Sequence, residues 1–208
     1  HSFASDMIFA ALSDHIEPIG PMPTMLAETP LETPWGYKLL RSLKRGDTVN
    51  TRNTGVVPIL ERIERTVPAR GSYRPIRLRA PYFGLQQDII VSPDQRLIID
   101  GPEVEYLFNR EAVLVPARHL INGFAAIEEA SGPTITYAQL LLPQHETLIA
   151  AGTAVESLYI GRIRRDAKLL PSTVLGGLEG AHLPEHRQPV HQVLRWYDAI
   201  HLARRRAA

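Results

Sequence analysis

The chain has 208 residues, 44% of them hydrophobic, which suits one medium domain with a tail. Its 23 basic and 22 acidic residues nearly cancel, which excludes the electrostatic footprint of a nucleic-acid or membrane-surface binder. Cysteine is absent, which excludes disulfides, thiolate metal sites and thiol nucleophiles, and no apolar run approaches the length needed to span a bilayer.

Residues 1–23 read as a Pro-rich arm. The stretch 6–15 has the texture of a short helix, and Pro18, Pro21 and Pro23 break any regular element after it, with Pro30 and Pro34 continuing the pattern. The start lacks a basic region before its short apolar piece, so no secretory leader is expected, and the expected location is cytoplasmic or reached by a signal-independent route. From Trp35 the texture changes to short strands separated by turn signals. Trp35-Gly36-Tyr37 turns into a strand, and Lys44-Arg45-Gly46-Asp47 is a turn before the strand Thr48-Val49-Asn50-Thr51. The stretch VVPILERIERTVPA places Val57, Leu60, Ile63 and Val67 at helical spacing. Its Val, Ile and Thr content and its early Pro58 favour a bent strand, which is the expectation here. Ile76, Leu78 and Ala80 alternate with Arg77 and Arg79, as in a half-exposed strand.

Then comes LQQDIIVSPDQRLIID. Two apolar runs flank Ser92-Pro93-Asp94-Gln95, a tetrad whose proline and aspartate favour a tight turn, so a β-hairpin is expected. Gly101-Pro102 ends it. EAVLVP is a further strand, Ala117-Arg118-His119-Leu120 a single helical turn, and TITYAQLLL a long strand that turns at Pro143-Gln144 and returns from His145 to Ala150. With almost no helical signal between residues 35 and 160, the expected class is all-β. Residues 164–189 are rich in Gly and Pro and read as loop. From Pro189, the spacing of Val190, Val193, Leu194, Tyr197 and Ile200 predicts an amphipathic helix, with Arg204-Arg205-Arg206 at its negative end. That helix is the surface expected to pack on the β domain or on another chain or domain. Its basic run reads as a solvated helix end.

Three blocks carry a resemblance. TPWGYKLLRSLKRGDTVNTRNTGVVPI, DIIVSPDQRLIID with EAVLVPARHLING, and ITYAQLLLPQHETLIAAGTAVESLYIG resemble, in order and spacing, the Hint (Hedgehog/intein) domain in the variant common in bacterial proteins. The resemblance implies a β horseshoe with pseudo-twofold halves, so the expected division is the arm, a β domain over residues 24–163, and the loop and helix already read over 164–208. It also implies a self-cleaving chemistry. A side-chain nucleophile attacks the preceding carbonyl, a histidine in the central turn protonates the departing nitrogen, and fixed donors hold the oxyanion.

The positions matching that site are altered. The family pattern C-F-x-x-G-T falls on residues 24–29, so Thr24 stands at the nucleophile and Glu28 at the glycine. Gln95, in the turn opened by Ser92, stands where the family has histidine. Gln139 stands where this variant commonly has another, and His145 remains. A hydroxyl is a far weaker nucleophile than a thiolate at neutral pH, and a glutamine donates hydrogen bonds without transferring protons. The expectation is therefore a catalytically degenerate Hint domain acting as a structural or interaction module, with no cofactor and no metal. The alternative is autoproteolysis by the Thr24 hydroxyl.

Other groupings of polar residues have plainer readings. A hydrolase built on His145, Glu156 and Ser157 requires those side chains to converge, whereas Glu156 paired with a surface arginine is the plainer reading. His145 as a turn histidine satisfied by backbone is likewise the plainer reading. Asp94 and Asp100 as an acid–base pair have no second matching loop, His119 reads as a helix-end residue, and Pro184 separates His182 from His186, against a metal site.

Overall fold

The computed structural model describes residues 23–130, 132–160, 184–186, 189–194, 198 and 201–202. The short helix expected over 6–15 and the basic run at 204–206 lie outside the described residues.

The all-β expectation holds. Fifteen strands are described: β1 (Met25–Leu26), β2 (Pro30–Thr33), β3 (Gly36–Leu39), β4 (Thr48–Thr51), β5 (Gly55–Pro58), β6 (Glu61–Pro68), β7 (Ile76–Leu78), β8 (Ile89–Val91), β9 (Arg96–Asp100), β10 (Ala112–Pro116), β11 (Ala126–Glu128), β12 (Thr134–Leu141), β13 (Thr147–Ala150), β14 (Thr153–Glu156) and β15 (Gln192–Val193). One sheet has the order β11-β7-β8-β1-β12-β6. The other runs β15-β10-β9-β14-β13-β2-β3, with β4 joined to β13 and β5 to β4.

The ambiguous VVPILERIERTVPA stretch is two strands, β5 and β6, broken at Ile59 and Leu60. Ile63 and Val67 are both buried. Four residues apart, they share a face of a strand as well as of a helix, so the spacing alone could not separate the two. Pairing decides, because β6 lies antiparallel to β12 over its whole length, from Glu61↔Leu141 to Pro68↔Thr134.

The expected hairpin around Ser92–Gln95 is not one. β8 pairs with β7 and β1 in the first sheet, whereas β9 pairs with β10 and β14 in the second. The tetrad is a tight turn, closed by the Gln95 N–H donating to Ser92 O at 3.1 Å, and it carries the chain across a sheet corner. The junctions after Leu26 and after Leu141 also cross between sheets. Alternation of apolar residues reports that a strand is half buried, but not which neighbour it pairs with.

A helix was missed. α1 (Pro102–Phe108) begins with proline in its first turn, carries Glu103 and Glu105 there, and ends on Asn109 in the left-handed conformation. Those are ordinary start and stop signals. The expected C-terminal helix is also corrected at its start. Gln192–Val193 is a strand running parallel to Val113 and Leu114 of β10. Residues 195–197 and 199–200 of that expected helix lie outside the described residues. The turn at 117–119 is a single 3-10 turn, as expected.

The main core includes Met25, Leu31, Leu40, Ile76, Leu97, Val113, Leu140 and Val155, and also takes in Leu194 and Leu202. A second cluster packs Ile63, Val67, Ile135, Tyr137 and Leu158 together, with the Tyr137 hydroxyl donating to Tyr73 O at 2.8 Å. Two glycines meet where the turn before Leu85 touches the β13–β14 turn. Gly152 has φ +98, and a Cβ there would lie 2.5 Å from Gly84 O. Gly152→Ala is therefore expected to cost about 2–3 kcal/mol through backbone strain and overpacking. A urea-denaturation midpoint compared with the parent checks it.

Candidate functional site

The candidate site forms where these crossings meet. β1 lies between β8 and β12, so Met25 is registered with Val91 on one side and Ala138 on the other. This brings Thr24 beside the central turn. The Thr24 N–H donates to Ser92 Oγ at 3.3 Å, and the Ser92 N–H donates back to Thr24 O at 3.0 Å. The turn is held from behind by the strand exit after β10. Ala117 N–H donates to Gln95 O at 2.8 Å, Arg118 N–H to Pro93 O at 3.0 Å, and the Arg118 guanidinium pairs with Asp94. Burial pushes the Asp94 carboxyl up, and Arg118 offsets part of that.

Two amide side chains fill the centre. Gln95 and Gln139 are both fully buried. Leu140 N–H donates to Gln139 Oε1 at 2.9 Å, which fixes that amide's orientation and turns its NH2 group inward. Gln139 Nε2 then has Pro23 O and Gln95 Oε1 each at 3.0 Å and Glu156 O at 3.1 Å. Gln95 Nε2 donates to Arg96 O at 3.1 Å and Glu156 O at 3.2 Å. The Pro23–Thr24 peptide is therefore gripped at both ends, its carbonyl by Gln139 and its N–H by Ser92. Thr24 Oγ1 is buried with no hydrogen-bond partner. The turn that follows does not need the family's glycine, because Glu28 is exposed and is not among the residues with positive φ.

Beneath the amides lies a charged network. Glu156 is fully buried and Arg96 is 6% exposed. Arg96 chelates the carboxylate, with Nη2 at 2.7 Å from Oε1, Nε on Oε2, and its own backbone N–H 3.2 Å from Oε2. His145, its side chain also fully buried, puts Nε2 at 2.9 Å from Glu156 Oε1. The surface arginine expected for Glu156 is thus a buried one. Arg96 has no local signal beyond the apolar run Leu97–Ile99 that follows it, because it stands directly after a polar turn. His145 reaches Gln95 and Gln139 only through Glu156.

The other groupings separate. Ser157 Oγ accepts from Glu146 N–H at 2.9 Å and does not join His145, so the three-residue hydrolase arrangement does not form. Asp94 pairs with Arg118 and Asp100 with Arg52, not with each other. His119 ends the 3-10 turn, where burial and Arg118 lower its pKa. His182 lies outside the described residues. Among the described residues no group of three or more His, Cys, Asp or Glu is placed to hold a metal ion, and no helix is long and apolar enough to cross a membrane.

A family model described as the Hint domain matches residues 23–162. Among solved structures, the chain is similar to a bacterial intein-like domain from Clostridium thermocellum, at 14% identity and TM-score 0.48, covering 65% of this chain and 99% of that one. It is also similar to the MchDnaB-1 intein, at 10% identity and TM-score 0.44, covering 64% and 98%. A third is an AceL NrdHF class 3 split intein, at 13% identity and TM-score 0.46, covering 66% and 98%. No curated protein matches.

Proposed function

The chain belongs to the Hint domain family, and we propose that this member holds the Pro23–Thr24 peptide in the family's cleft without cutting it, serving as a structural or interaction module. The observation that carries this reading is the pair of buried amides, Gln95 and Gln139, at the positions where proton-transferring imidazoles are needed. Cleavage through Thr24 requires its hydroxyl proton to leave, its oxygen to attack the Pro23 carbonyl carbon, and the departing nitrogen to gain a proton. Gln139 retains one part of this, donating to the carbonyl oxygen where negative charge would develop. Among the described residues the remaining parts have no imidazole or carboxylate in contact with the Thr24 hydroxyl or nitrogen. Thr24 Oγ1 meets no base, and Ser92 presents only a hydroxyl to the nitrogen. Each missing general acid or base is typically worth about a hundredfold or more in rate.

As a module the domain presents surface. Trp35, Tyr106 and Phe124 are large apolar side chains standing in solvent. With additional sequence placed ahead of Thr24, mass spectrometry after days at pH 7 is expected to find the chain intact. A product beginning at Thr24, abolished by Thr24→Ala, would overturn the reading. The second reading, slow autoproteolysis by the Thr24 hydroxyl, is favoured by one observation: that hydroxyl is unengaged beside a carbonyl already polarised by Gln139. The same experiment decides between them.

A further inference from the structure

The described residues after 183 are tied to the domain in an unusual way. His186 is 1% exposed. Its Nδ1 accepts the Ile160 N–H at 3.2 Å, and its Nε2 donates to Leu142 O at 2.9 Å. A second histidine answers from the domain side. His145 Nδ1 accepts the Val190 N–H at 3.0 Å while its Nε2 faces Glu156. The Tyr159 ring lies between them, 5.1 Å from His145 and 5.9 Å from His186, nearly parallel to the latter. Both imidazoles thus accept a backbone N–H at Nδ1, which only the unprotonated nitrogen can do. Adding a proton would set N–H against N–H in a buried site and remove the tie.

We infer that the segment holding residues 184–186 and 189–194 is an acid-released strap, latched where His186 and His145 each accept a backbone N–H at Nδ1. Among the described residues the Leu194 side chain, buried in the main core, anchors its far end. Gln192 and Val193 pair with two residues of β10, Leu194 N–H donates to Leu114 O at 3.0 Å, and an exposed Arg110–Gln192 contact adds little. The groups facing His186 are the Leu142 carbonyl, the Tyr159 ring and His145. Facing His145 are Glu156, with Arg96 behind it, Tyr159, His186 and His191, and His191 in turn faces Arg52, Asp100 and Glu111.

Glu156 faces His145 while Arg96 engages both of its oxygens. His186 meets two like-charged or neutral neighbours and a single carbonyl, so it governs release. Burial, above all, depresses its pKa to about 4. A histidine whose folded pKa lies below its ordinary value of about 6.5 stabilises the closed state fully above that value. The stabilisation is lost as pH falls from there towards 4. Release uncovers the β10 edge and the small apolar cluster of Ile98, Ala112 and Leu114 against which Val193 packs. The acid form would therefore offer a strand-accepting edge.

Hydrogen exchange read by mass spectrometry on the full chain, corrected for intrinsic rates, tests this. Between pH 7.5 and 4.5 the peptide holding residues 189–194 is expected to lose at least tenfold in protection, while β6 and β12 stay protected. His186→Gln, which accepts and donates yet never titrates, should retain strap protection at pH 4.5. Three outcomes would overturn the inference: a strap unprotected at pH 7.5, protection lost only together with β12, or equal acid release in His186→Gln. Should that variant not fold, imidazole nitrogen signals of the parent decide. A neutral His186 that charges as Val190 loses protection supports the strap, and an imidazolium already present at pH 7 sinks it.

Discussion

Glu156→Ala is expected to lower the unfolding free energy by about 3–5 kcal/mol, because it strands a buried guanidinium without its counter-ion. Arg96 is 6% exposed and meets both oxygens of Glu156, a residue with no exposure at all. In the variant the guanidinium loses these charge-assisted bonds and cannot reach water without moving β9. His145 loses its partner at Nε2 as well. For a domain of this size the loss corresponds to a fall of roughly 10 °C in melting temperature, read by calorimetry or urea denaturation. The companion variant is the sharper test. Arg96→Met with Glu156→Leu removes both charges together and is expected to recover most of the loss, since apolar replacement of a whole buried pair is often neutral. A single variant within about 0.5 kcal/mol of the parent would mean that the pair is not desolvated as described.

The second expected result is a gain of chemistry. Thr24→Cys combined with Gln95→His is expected to cleave at the Pro23–Thr24 peptide when an external thiol is added, at least about a hundredfold faster than Thr24→Cys alone. The thiolate at 24 attacks the Pro23 carbonyl carbon, the peptide nitrogen departs with a proton from the imidazole at 95, and a thioester forms. The external thiol then exchanges onto the acyl carbon and releases a fragment ending at Pro23. The scaffold for this is present. Gln139 donates to the Pro23 carbonyl, and Gln95 lies one hydrogen bond from Gln139. Fragment masses over time give the readout. If the doubly substituted protein folds and yields no thioester, then the cleft has lost its geometry along with its proton-transfer groups, and the proposed reading of Gln95 and Gln139 needs replacing.

The residue pattern carried the fold class and most strands, because half-buried strands advertise themselves by alternation, and Ile76 to Leu78 is a clear case. It failed where pairing partners matter. Nothing local in DIIVSPDQRLIID distinguishes a hairpin from a corner between sheets, since that is set by β1 inserting beside β8. In the same way Val190 and Val193 fit a helical stripe, yet the β10 edge captures Gln192 and Val193 as a strand. The meeting of Gln95 with Gln139 was legible only through the family resemblance. Arg96 and Glu156 stayed hidden because two ionised side chains in a core are justified only by each other, across sixty positions of chain.

That separation in sequence has a consequence during synthesis. Pro23 O is held by a side chain 116 positions downstream, and the carbonyl steadying that side chain belongs to Glu156. A ribosome has therefore emitted nearly the whole domain before the peptide at 23–24 can be enclosed. Until then the nascent chain carries it uncovered, within reach of any protease that meets the growing polypeptide.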